Sequence, residues 1–145
     1  MKQLLLLFGA TLALAAGSAM AQAAGYVKTT RGQASIVSAG KTVPAQAGMA
    51  LAVGDMVRTG ADGSLGITLK DNTMLSFGPS TSFTLEDFLF APAEGSLQLG
   101  GSIAAGSLQY VSGAIARLKP EAVRIKTPTG IIGVRGTRFV AVVQP

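Results

Sequence analysis

From Gln22 to Val143 the chain is broken by turn formers at short intervals, and no stretch between the breaks repeats its apolar residues with a helical period. Gly40-Lys41, Gly54-Asp55, Gly60, Asp62-Gly63, Asp71-Asn72, Gly78-Pro79, Gly100-Gly101, Gly113, Pro120 and Thr127-Pro128 mark the breaks. Such residues supply the backbone angles that tight connections need, and they leave room between them for strands. The expected fold is all-β: a single domain of short strands in packed twisted sheets, arranged as a sandwich or in solenoid-like fashion.

Ser64 to Lys70 is the clearest strand, with Leu65, Ile67 and Leu69 on one face and Ser64, Gly66, Thr68 and Lys70 on the other. Asp71-Asn72 follows, and both residue types tolerate the left-handed backbone of a hairpin turn, so Thr73 to Phe77 is the returning strand. Ser82 to Leu85 alternates with Phe83 and Leu85 inward, and Val123 to Thr127 sets Val123 and Ile125 against Arg124 and Lys126. Phe139 to Val143 is apolar on both faces, which suits a strand covered on two sides. Ala91 to Ser96 crowds Pro, Gly and Ser together and is expected to be the longest loop. Ile103 to Ala116 holds alanines that permit a helix, but Gly106 and Gly113 each cost about 1 kcal/mol in one, so strands are preferred.

The first residues set a destination. Met1-Lys2 carries an early positive charge, Leu4 to Ala16 is apolar, and small residues lead to Ala19-Met20-Ala21. This is the three-part form of a secretory signal peptide, and its apolar run is shorter than the roughly 20 residues a membrane-crossing helix needs. Residues 1–21 are expected to be cleaved, leaving residues 22–145 as one exported domain, periplasmic or secreted, with no stable membrane anchor. The chain has no cysteine, so packing rather than disulfides must stabilise it.

Charge is uneven. Five basic and six acidic residues lie between Gln22 and Ala116, whereas from Arg117 onward six basic residues face Glu121 alone. Arg117, Lys119, Arg124, Lys126, Arg135 and Arg138 would suit anionic glycan or lipid head groups. Export removes nucleic acid as a partner.

The absence of histidine and cysteine excludes a Ser-His-Asp triad, a cysteine protease site and the usual zinc or copper ligand sets. Asp55, Asp62 and Asp71 stand in turn contexts without the spacing of a calcium loop. Glu86 and Asp87 are adjacent and would point to opposite faces of a strand, and Glu94 and Glu121 are isolated, so no carboxylate pair for glycoside hydrolysis is formed in sequence. No catalytic residue, metal ligand or cofactor is expected, and the chain is not expected to be an enzyme. Phe77 and Phe83 occupy core positions, but Phe88-Leu89-Phe90 cannot all face one core, which makes Phe88 and Phe90 candidates for a partner-binding surface.

Near the C-terminus, Lys126 to Val143 reads KTPTGIIGVRGTRFVAVV. A phosphate loop would need a helix after its glycines, yet β-branched and aromatic residues follow Gly136. Thr127-Pro128-Thr129-Gly130 fits a turn, and Gly133 and Gly136 permit a bend or the close approach of another strand. With two earlier blocks, Val53-Gly54-Asp55-Met56-Val57-Arg58-Thr59-Gly60 and Gly63 to Phe77, this stretch resembles the FecR domain family over roughly Gly25 to Val143.

The resemblance implies an all-β domain, a non-catalytic protein-interaction or scaffold role in the bacterial envelope with a link to signalling in that compartment, and a structural function for Gly54, Asp55, Thr59, Gly60, Thr127, Pro128, Gly130, Gly133, Arg135, Gly136 and Thr137. The regulators that define the family place an anti-sigma segment and a membrane helix before this domain, and neither is expected here. The leading expectation is a partner protein of the envelope, bound through Phe88, Phe90, Arg124, Lys126, Arg135 and Arg138. The alternative is an anionic envelope polymer held by the basic C-terminal part.

Overall fold

Alternating side chains build most of this protein, and the computed structural model describes residues 22–144. The expected signal peptide lies outside the described residues. The strands are β1 (Ala23–Arg31), β2 (Ala34–Ser38), β3 (Lys41–Pro44), β4 (Ala50–Ala52), β5 (Met56–Thr59), β6 (Ser64–Leu69), β7 (Met74–Phe77), β8 (Ser82–Ala91), β9 (Ser96–Val111), β10 (Val123–Thr127), β11 (Gly130–Gly133) and β12 (Arg138–Val143). One short helix, α1 (Ala114–Leu118), follows β9.

These strands form a curled sheet with two walls that share β9. One wall runs β4-β1-β6-β7-β9-β12, and the other runs β3-β2-β5-β8-β9-β10-β11. Among the described residues all pairings are antiparallel except β9 with β10. The N-terminal part of β9 pairs with β8 and β10, while its C-terminal part, Gly106 to Val111, pairs with β7 and β12. The walls enclose one core containing Val27, Ile36, Leu51, Val57, Leu65, Ile67, Leu69, Phe83, Ile103 and Leu108. Phe77 of one wall meets Phe83 of the other at a ring-centroid distance of 5.0 Å. Each such buried side chain contributes about 1.5–3 kcal/mol.

The β6–β7 hairpin forms as its sequence predicts, with Leu65, Ile67 and Leu69 buried and Asn72 at φ 67°. Asp71 goes beyond turn chemistry. Its carboxylate is 1% exposed and accepts from the Thr73 amide at 3.1 Å, the Thr73 hydroxyl at 2.7 Å and the Ile115 amide at 3.1 Å. The Asp71 carbonyl also accepts the Ala114 amide at 2.8 Å. A local turn residue thereby fixes the start of α1, more than forty positions away.

Four sequence expectations need correction. Ala91 to Ser96 is no long loop: Pro92–Glu94 makes a single 3-10 turn, Gly95 donates back to Pro92 at 3.1 Å, and β8 and β9 form one hairpin around it. Its breakers fold into one tight reversal. Nor are all strands short, since β8 spans 10 residues and β9 spans 16. Ile103 to Ala116 is strand only to Val111, and its last residues enter α1, because Asp71 supplies the acceptors that hold the helix start. Finally, β12 is an edge strand with one open face: among the described residues it pairs only with β9, and Val140 and Val142 are 65% and 67% exposed.

The walls can share β9 because it bends at Gly106, where φ is +94°. Inward side chains change parity there, from Leu99 and Ile103 to Leu108 and Tyr110. A Cβ at Gly106 would run into Thr81, whose hydroxyl occupies the bend, accepting from the Ser107 amide at 3.1 Å and donating to the Gly78 carbonyl at 2.8 Å. We expect Gly106→Val to cost at least about 3 kcal/mol, combining backbone strain with a steric clash. Gly133→Val, where a Cβ meets open space at ordinary φ, should cost less than about 1 kcal/mol. Urea denaturation of the two variants checks this.

Tyr110 is fully buried and stacks on Phe139 with centroids 4.8 Å apart. Its hydroxyl lacks a hydrogen-bond partner of good geometry among the described residues, although Ser112 and Thr73 lie close to it. Burial pushes the phenol above its ordinary value of 10.0, and the Asp71 charge pushes the same way. The folded state thus holds this proton more tightly than the unfolded chain does. Its contribution to stability is complete below the unfolded-chain value and declines as pH rises past about 10. Tyr110→Phe should flatten the fall in thermal midpoint above about pH 10 while leaving the midpoint at pH 7 unchanged or higher.

Candidate functional site

The first family block is built into the frame. Ala52 to Asp55 forms a turn with Gly54 at φ 93°, in which the Asp55 amide donates to the Ala52 carbonyl at 3.1 Å and the Asp55 carboxylate accepts the Ala52 amide at 2.9 Å. Thr59 ends β5, and its hydroxyl donates to the Gly78 carbonyl at 2.7 Å while accepting the Thr81 amide at 2.9 Å. The Gly60 amide donates to the Gln33 carbonyl at 2.8 Å, and its carbonyl accepts from Gly63 and Ser80. Thr59 and Gly60 therefore stitch β5 to the corner where β7 passes into β8, while Asp55 holds the turn before β5.

The C-terminal block is more exposed. Thr127 to Gly130 closes the β10–β11 hairpin, with the Thr127 hydroxyl accepting the Gly130 amide at 3.1 Å and Pro128 at the tip. Gly130 and Gly133 have ordinary backbone angles and open space around them, so neither provides a bend or close approach. Gly136 does bend, with φ +105°, and its carbonyl accepts from the Ser112 hydroxyl at 2.9 Å. The Thr137 carbonyl accepts the Ser112 amide at 2.8 Å, which seats the bend against the end of β9. Arg135 and Arg138 flank it, both exposed.

The basic residues do not make a patch of one sign. Lys126 pairs with Glu86 at 3.0 Å, on side chains 56% and 33% exposed, where such a bridge is worth about 0–1 kcal/mol. Parallel pairing of β10 with β9 sets Arg124 and Lys126 across from β8, which carries Glu86 and Asp87. A shallow groove of about 600 Å³ there mixes Lys119, Arg124 and Lys126 with Glu86, Asp87 and Glu121. A neighbouring groove of about 760 Å³ joins Arg124 and Arg135 with Glu121 and Val134. Among the described residues no group of three acidic, histidine or cysteine side chains could hold a metal ion, and no helix is long and apolar enough to cross a membrane.

A β-bulge near Glu86 decides the fate of the aromatic triplet. Leu85 pairs with Gly101 and Asp87 with Gly100, so one extra residue enters β8 and the inward parity changes. Phe88 then packs against the core, while Leu89 and Phe90 are 52% and 37% exposed. Val53, 46% exposed, joins them around a cleft of about 260 Å³. Of the two candidates that the sequence offers here, Phe88 packs against the core and Phe90 is exposed at the cleft. Without the bulge, Leu89 would extend the inward series of Phe83 and Leu85.

The contrast between Gly136 and its neighbour is measurable. Gly136→Val forces a β-branched residue into the left-handed region and should cost about 1–3 kcal/mol. Arg138→Ala removes an exposed side chain and should stay within about 0.5 kcal/mol. Equal thermal midpoints for the two variants would contradict this assignment of the bend.

A family model described as FecR protein matches residues 55–144. Comparison with curated proteins gives no match, and comparison with solved structures gives none. The FecR family is a regulatory, envelope-associated family of bacteria that is not known for catalysis. The match takes in well over half of the chain, including the corner residues Thr59 and Gly60, the β6–β7 hairpin and the Gly136 bend, and the protein belongs to the FecR family.

Proposed function

We propose that this FecR-family chain is exported and acts in the bacterial periplasm as a non-catalytic interaction module for another envelope protein, within envelope signalling. The observation that carries the reading is the apolar surface of Leu89, Phe90 and Val53, lying beside Ala23, Ala24 and Lys70 around one cleft. Exposed large apolar side chains at the end of β8 favour burial by a partner, and aromatic anchors of this kind supply much of the binding energy at protein interfaces. The polymer-binding alternative draws less support. Its cations are interleaved with Glu86, Asp87 and Glu121, which weakens the field that a polyanion would meet.

Salt separates the two readings, because attraction to a polyanion fades with ionic strength and an apolar contact persists. In a crosslinking capture from periplasm, Leu89→Ser/Phe90→Ser should lower recovery of the specific partner by about tenfold or more at both low and high salt. Arg124→Gln/Lys126→Gln should leave that recovery unchanged. Salt-sensitive retention on purified cell-wall material, lost in the charge variant alone, would replace this reading with the polymer one.

A further inference from the structure

We propose that the outer edge of β12 is a seat for one extended strand from a partner protein, added antiparallel to β12 and carrying a carboxylate toward its C-terminal end. This goes beyond the interaction role above and uses a different surface.

Four strand edges are open among the described residues: β3, β4, β11 and β12. Three of them are guarded in the usual ways. β4 has 3 residues, β3 carries Lys41 and Pro44, and β11 has 4 residues bounded by glycines. β12 has 6 residues, no proline and no inward charge, and it presents Val140 and Val142 at 65% and 67% exposure. A six-residue edge that exposes two valines is a template for strand addition.

The walls also differ in strand number on this side. Beyond β9, one wall has β10 and β11, whereas the other has β12 alone. A groove of about 460 Å³ opens beside β12, lined by Thr127, Pro128, Ile132, Ala141, Val143 and Gln144. Ile132 and Val143 pack against the core but stay half-buried at this opening. One added strand would face β11 and place its inward side chains over these two residues.

Geometry selects a single strand over a second copy. Antiparallel pairing of two β12 strands requires a dyad perpendicular to the sheet, which keeps both inner faces on the same side. Each β10–β11 hairpin would then compete for the space over the other copy's edge. Charge selects the chemistry: Arg135 and Arg138 are exposed, and neither forms an ion pair among the described residues. A carboxylate opposite Arg138 makes a favourable cross-strand pair.

The test uses the purified exported chain and a fluorescent peptide, Val-Thr-Val-Thr-Val-Glu, followed by anisotropy. Saturable binding is expected. N-methylation of one alternate set of peptide amides should weaken it by about tenfold or more, because that set faces β12, while N-methylation of the other set should not. Arg138→Glu should weaken binding about fivefold, and replacing the peptide's glutamate by lysine should restore it to this variant. Leu89→Ser/Phe90→Ser should bind the peptide normally, so failure here is distinguishable from failure of the Leu89–Phe90 reading. The proposal is overturned by absence of binding up to about 1 mM peptide, or by equal binding of both N-methylated peptides. Self-association in sedimentation that disappears in Val140→Lys/Val142→Lys would assign the edge to a second copy and also overturn it.

Discussion

The bend of β9 at Gly106, with the Thr81 hydroxyl seated in it, is the constraint on which the two-walled architecture depends. A strand that kept one side-chain parity throughout its length could serve only one wall's interior. By switching parity between Ile103 and Leu108, β9 directs its two halves into the same core while pairing with β8 and β10 on one wall and β7 and β12 on the other. The Thr81 hydroxyl replaces ladder bonds lost at the bend, and Thr59 secures the facing corner by accepting the Thr81 amide. Unpaired amides at this depth would each cost about 1–3 kcal/mol, so these two hydroxyls make the corner affordable.

Local features of the sequence were legible and long-range ones were not. Leu65, Ile67 and Leu69 announce β6 by simple alternation, and Asp71-Asn72 announces the reversal after it. The role of Asp71 in holding α1 could not be read, because it depends on Ile115 arriving from the other end of β9. Parity switches in β8 and β9 are visible afterwards as a change of phase in the apolar residues, but a bulge is specified by its pairing strand as much as by its own residues. β12 misleads for a physical reason: a strand apolar on both faces reads the same whether it is buried or left as an open edge.

The candidate surfaces follow the same division. Clustering of cations after Arg117 is a fact of sequence, yet it does not survive folding as a patch. Parallel pairing of β10 carries Arg124 and Lys126 beside β9, and the β8–β9 hairpin brings Glu86 and Asp87 to the same region. Parallel neighbours have no local signature, since the connecting chain must cross over before the strand is laid down. The apolar triplet was legible as an anomaly, and only the bulge decides which of its members faces outward.

The family match starts at Asp55, but the physical unit starts earlier. β1 pairs along nearly the whole length of β6, from Gly25 opposite Leu69 to Arg31 opposite Ser64, and β2 covers the outer side of β5. Val27, Ile36 and Leu51, all buried, belong to these preceding strands and fill the same core as Leu65, Ile67 and Leu69. Without them, β5 and β6 would become open edges, with much of the core exposed to water. The four strands before the matched segment are therefore part of what allows the matched segment to fold, and the Gly32 turn carries the chain from β1 in one wall to β2 in the other.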